Sequence, residues 1–68
     1  MSVYKVIEII GTSGQSWEDA AVQAVTKARE TLRDLRVAEV VQQDVDLADE
    51  STVMYRTKLR ISFKYEGE

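Results

Sequence analysis

Between Val53 and Tyr65 the side chains alternate without a break. The odd positions are Val53, Tyr55, Thr57, Leu59, Ile61, Phe63 and Tyr65; the even ones are Met54, Arg56, Lys58, Arg60, Ser62 and Lys64. A strand turns alternate side chains to opposite faces, so this stretch presents one apolar face and one cationic face. It holds no Gly or Pro and is rich in β-branched and aromatic residues. At about 3.3 Å per residue it reaches roughly 40 Å, long for a small domain. Such a strand either bends around something or extends beyond its own subunit.

The chain has 68 residues, room for one domain (1–68) and little core. Chains of this size usually add disulfides, a metal or oligomerisation to be stable. Cysteine and histidine are both absent. Disulfides, zinc sites and thiol chemistry are therefore excluded, as are Ser-His-Asp and Cys-His catalysis. Oligomerisation is the remaining support, and no nucleophile–base pair points to an enzyme. The net charge of −3 argues against a dedicated nucleic-acid partner. No apolar run reaches the length of a membrane span, and no leader pattern opens the chain. These features predict a soluble, cytoplasmic homo-oligomer.

Val3–Ile10 reads as a first strand. Val3, Lys5, Ile7 and Ile9 share one face, and Tyr4, Val6, Glu8 and Ile10 share the other. Both faces are largely apolar, the mark of a strand covered on both sides. One cover is the chain's own helix; a neighbouring subunit is the natural second. Glu8 interrupts that apolar run, so it is either partly exposed or salt-bridged, or in contact with a cation or ligand. Gly11-Thr12-Ser13-Gly14-Gln15 reads as the turn into a helix. It lacks the Lys-Ser/Thr of a phosphate loop and the third Gly of a dinucleotide fingerprint.

The helix is expected from about Trp17 to Leu35. Ser16 is its N-cap, and Glu18 and Asp19 suit its positive end. Trp17, Ala20, Ala21, Ala24, Val25, Ala28, Leu32 and Leu35 form one apolar stripe. Its alanines keep the stripe thin, so the helix can lie close to a sheet. Trp17 reads as an anchor at the helix start.

A second strand is expected over Val37–Asp46, where the apolar residues change parity midway and a bulge would switch faces. The polar connection Leu47–Thr52 then leads into the long strand. With that loop centred near Asp49 and Ser51, Asp44 falls near Arg56 and Asp46 near Met54. Acidic residues facing basic ones across strands are favourable pairs, which accounts for the cationic face. A strip for anionic ligands is the other account, although no aromatic residue interleaves there to stack a base. The fold class is α+β with order β-α-β-β. It is a three-stranded antiparallel sheet curled around one helix, with the long C-terminal strand in the centre.

This order, opened by VYKVIEIIGTS and continued after the helix by VAEVVQQDV, resembles the dodecin family over almost the whole chain. Gly11-Thr12-Ser13 leading into a capped helix, and the ending Ser62-Phe63-Lys64, carry the resemblance furthest. It implies a hollow, spherical homododecamer with helices outward and sheets lining the shell. Flavin-binding dodecins stack FMN or riboflavin on a Trp just after the helix and hydrogen-bond it with a Gln in the last strand. Val37 and Arg56 stand at those positions here. The Val-Tyr-Lys-Val opening, Ser16-Trp17-Glu18, and Arg36-Val37 in place of the aromatic are most similar to the calcium dodecin subgroup. That resemblance implies a storage or buffering protein that binds calcium; a flavin (FMN or riboflavin) storage protein and a structural assembly with incidental ions are the alternatives. Calcium takes six to eight oxygens, and no EF-hand loop is present. Glu8, Glu18 and Asp44 are the candidate metal ligands.

Overall fold

The computed structural model describes residues 2–65. Strand β1 (Tyr4–Ser13) leads to helix α1 (Trp17–Thr31), then to β2 (Leu35–Asp46) and β3 (Met54–Lys64). The sheet order is β1-β3-β2, antiparallel at both junctions, so the long strand is central, as all-antiparallel pairing of a β-α-β-β chain requires. Leu59 and Ile61 are each 1% exposed and Thr57 is fully buried beneath the helix. The intervening Arg56, Lys58 and Arg60 face away from it.

The apolar stripe docks α1 through Ala20, Ala24 and Ala28, all buried. Ala21, Val25 and Leu32 flank this contact, and Ile7 and Ile9 join from β1. Ser16 caps the helix as expected, its hydroxyl accepting from the Asp19 N–H at 3.0 Å. The thin stripe permits a close approach: Gly11 sits directly under the helix, where a Cβ would collide with the carbonyl oxygen of Ala20.

Element ends differ from the sequence reading by more than one residue in three places. The helix stops at Thr31, not Leu35. Leu32 already has extended backbone (φ −115°, ψ 148°), and Asp34 takes a left-handed turn (φ 60°) that reverses the chain. Leu35 still reaches the core, from the start of β2 rather than from the helix. Strand β1 runs on through Gly11, Thr12 and Ser13, paired with Thr57, Arg56 and Tyr55, so the turn is confined to Gly14, Gln15 and Ser16. Strand β2 begins two residues earlier than Val37.

The expected bulge is present. Register shifts between Val40 and Gln42, and again between Leu35 and Val37. Because of the first shift, Asp44 and Gln42 share a face with Glu39 and Val37 although their parities differ. That shared face is the open one, remote from α1. On it Tyr4, Val6, Ile10 and Val37 remain about half exposed or more in the single chain.

Candidate functional site

The open face is an ionic lattice centred on β3. Glu8 and Arg60 are direct partners in the β1–β3 ladder, and Glu39 is the partner of Arg60 in the β2–β3 ladder. Arg60 Nη2 donates to Glu8 Oε2 at 3.0 Å, and its Nη1 lies 3.5 Å from Glu39 Oε1. Lys58 Nζ stands 3.6 Å from the other Glu8 oxygen. Of the two accounts of Glu8 that the sequence left open, the ion pair is therefore realised within one chain. The hydrogen bond from Arg60, then the Lys58 charge, hold the Glu8 carboxyl below the usual carboxylate range.

Asp44 and Arg56 are ladder partners, as loop counting predicted. The guanidinium forms a bidentate pair, Nε to Oδ1 at 2.7 Å and Nη2 to Oδ2 at 2.9 Å. This fork geometry is the strong form of an Arg–carboxylate contact. It lowers the Asp44 pKa and raises that of Arg56. Behind the sheet, the Trp17 indole N–H donates to the Asp44 carbonyl at 3.0 Å, so both the backbone and the carboxylate of Asp44 are fixed. Ile10, Gln42, Asp44, Arg56 and Lys58 enclose a recess of about 90 Å³ beside the pair.

The third candidate carboxylate, Glu18, lies in the first turn of α1 and is exposed. Its neighbour Asp19, which the sequence reading gave only a helix-end role, is the connected one. It accepts from the Ser13 hydroxyl at 2.6 Å and the Gln23 amide at 2.9 Å. Glu39 and Gln42 also went unnoticed, because their presence on the open face depends on where the β2 bulge falls. Among the described residues no three carboxylates gather closely enough to hold a metal ion. One chain by itself therefore does not fit a complete calcium site.

A family profile described as Dodecin matches residues 3–66. The chain is 55% identical to calcium dodecin from Mycobacterium tuberculosis over 64 residues, 94% of this chain and 90% of the relative. It belongs to the dodecin family. The crystal structure of that M. tuberculosis protein, described as calcium chelating with a novel calcium-binding site, superposes with a TM-score of 0.88. The match has 51% identity and covers 98% of this chain and 96% of the other. A dodecin from Thermus thermophilus is 34% identical over 94% of this chain and 93% of its own length. The dodecin structure from Streptomyces coelicolor matches with a TM-score of 0.89 and 33% identity, covering 98% and 96%.

In this dodecin Val37 and Arg56, the positions that the resemblance matches to a flavin site, lie on the same open face but apart. Val37 pairs with Ser62, six residues along β3 from Arg56, or roughly 20 Å at strand spacing. Val37 is 61% exposed and brings no aromatic face. Arg56 is bound to Asp44. Neither residue fits a stacked flavin ring as it stands. Among the described residues no helix is long and apolar enough to cross a membrane.

Proposed function

We propose that this dodecin is a non-enzymatic binding protein that works as a hollow homododecamer and stores or buffers calcium. The assembly reading rests on the shape of the chain. It is a slab about 50 Å long and only 16–20 Å across its other two axes. Among the described residues the buried apolar ones are three alanines, Leu59 and Ile61, too little for a robust lone domain. Apolar grooves of about 270 and 300 Å³ flank α1, one lined by Val22, Val25 and Val40, the other by Ile7, Ile9 and Leu32. Neighbouring subunits would cover these grooves and the apolar rim of the open face.

The observation that carries the calcium reading is the 55% identity to a calcium dodecin along almost the whole chain. The chemistry is consistent with it: twelve carboxylates and no His or Cys suit a hard cation and no soft one. Since Glu8, Glu18 and Asp44 do not converge within one chain, they would contribute oxygens from different subunits, with backbone and water completing the shell. A flavin-storage role is disfavoured by Val37 and by the Asp44–Arg56 pair.

Light scattering and calcium calorimetry on the purified protein test both parts. The expected particle has a mass near twelve chains of 7.7 kDa and binds calcium in a saturable manner. A folded monomer at micromolar concentration would overturn the assembly reading, and a flat calcium titration would overturn the calcium one.

A further inference from the structure

We propose that the tip of the β2–β3 hairpin is a docking knob, and that Leu47 of one chain seats in the apolar groove between α1 and β2 of a second copy. The inference rests on the assembly reading above and deepens it, by assigning one element of a neighbour to one groove.

The knob is well built but has no seat in its own chain. Every residue from Asp46 to Met54 is exposed, and Leu47, at 69%, is the most exposed large apolar residue among those described. A tip without packing is ordinarily loose, but this one is tied. Asp46 Oδ1 accepts from the Ala48 N–H at 2.9 Å, and Asp49 Oδ1 accepts from both the N–H and the hydroxyl of Ser51 at 2.9 Å. Such local side-chain bonds hold a turn in one shape. Leu47 is therefore presented to solvent with part of the ordering cost of binding already met.

The groove has the matching character. It holds about 270 Å³ and is lined by Ala21, Val22, Val25, Ala38 and Val40, with Arg29 the one charged residue along it. Among the described residues Arg29 has no ion pair, and neither has Glu50 on the tip. The tip also carries Asp46 and Asp49, and no basic residue stands between Gln42 and Tyr55. An acidic knob with an apolar point thus faces an apolar groove with a cationic rim, a pairing that fixes partner and register. The groove on the β1 side of the helix is the poorer match, because its cation, Lys27, is already paired with Glu30 at 3.3 Å.

The knob cannot fill the groove of its own chain. Leu47 lies seven residues beyond Val40, roughly 20 Å at strand spacing. The seat is in another copy. Knob and groove are different patches, so the contact is heterologous, and successive copies join head to tail until the ring closes.

The absence of cysteine makes disulfide trapping a clean test. In a Leu47→Cys/Val22→Cys variant, oxidation should convert most chains to covalent multimers on a non-reducing gel, since cysteines bridge only when their Cα atoms come within about 7 Å. Leu47→Cys alone and Val22→Cys alone should remain single chains. So should Leu47→Cys/Val6→Cys, which puts the second thiol on the open face. A second test leaves the knob intact: Arg29→Glu should raise the concentration at which the particle dissociates about tenfold, and adding Glu50→Arg should reverse most of that rise. Multimers in either single variant or in the Val6 combination, or none in the Val22 combination, overturn the groove assignment. An unchanged dissociation midpoint in Arg29→Glu, or no recovery with Glu50→Arg, overturns it as well. In each of those cases an unmodified particle near twelve chains by light scattering leaves the assembly reading standing. A monomeric unmodified chain overturns both.

Discussion

Gly11 and Ala20 meet more closely than any residue with a side chain could allow at position 11. A Cβ on Gly11 would overlap the Ala20 carbonyl oxygen and stand 2.9 Å from the Ala24 Cβ. The obstacle is helix backbone, which cannot rotate aside, and the helix has no room to lift without opening the core over Thr57 and Leu59. Gly11→Ala should therefore cost about 1–3 kcal/mol or more, the range for overpacking a filled core. A shift in urea midpoint checks it. An unchanged midpoint would mean that α1 rides higher on the sheet than described.

Trp17 ties the start of the helix to two strands. Its indole N–H reaches the Asp44 carbonyl at 3.0 Å, and its ring meets Tyr55 edge-on at 5.0 Å between centroids. Its own carbonyl accepts from the Thr57 hydroxyl at 2.9 Å. Trp17→Phe keeps an aromatic ring against Tyr55 and removes the indole donor. The expected loss is about 0.5–1.5 kcal/mol, that of one hydrogen bond to a carbonyl that can still find water. Chemical denaturation of the two proteins measures it; a loss of several kcal/mol would assign Trp17 a packing role that its partial exposure does not support.

Acid should destabilise the protein in a defined direction. Glu8 is held below its ordinary pKa chiefly by the Arg60 hydrogen bond, Asp44 by Arg56, and Asp19 by the Ser13 hydroxyl. A carboxylate whose folded pKa is depressed stabilises the fold fully above its unfolded value, near pH 4. That contribution disappears as pH falls through the folded value. The thermal midpoint should thus stay level from pH 7 to about 5 and decline below about 4. Arg60→Gln removes the main cause for Glu8, so its deficit relative to the unmodified protein should be largest at pH 7 and shrink in acid. A deficit that grows as pH falls would contradict the assigned sign.

Much of this architecture is legible in the sequence because β3 constrains it. Its strict alternation identifies a long two-faced strand, antiparallel pairing in a β-α-β-β order puts that strand in the centre, and counting back through the Asp49–Ser51 loop brings Asp44 near Arg56. Local backbone choices are less legible. Leu35 fits the helical spacing as well as any residue of the stripe, but the left-handed Asp34 delivers it to the core from a strand. Gly11 looks like a turn residue, yet its role is to let the helix approach within a continuing strand. The ionic lattice was legible only in outline. Glu39 joins it because the bulge beyond Val40 inverts the parity of β2, and parity gives no warning of where a bulge falls.

Glu8 separates the metal account of the open face from the purely ionic one. Within the chain its carboxylate is shared by Arg60 at 3.0 Å and Lys58 at 3.6 Å, and its side chain remains 41% exposed. That exposure leaves room for a cation supplied at a subunit contact, whose charge would compete with the two basic residues. Glu8→Gln removes the charge and keeps the shape; Arg60 retains Glu39 at 3.5 Å, so the sheet and the assembly should persist. Under the calcium proposal, calcium at a hundredfold above its Kd stabilises the unmodified protein by about 2.7 kcal/mol per site. The same calcium should leave the melting temperature of Glu8→Gln unmoved. An equal rise in both proteins would remove Glu8 from the ligand set and leave its ion pairs with Arg60 and Lys58 as its whole role.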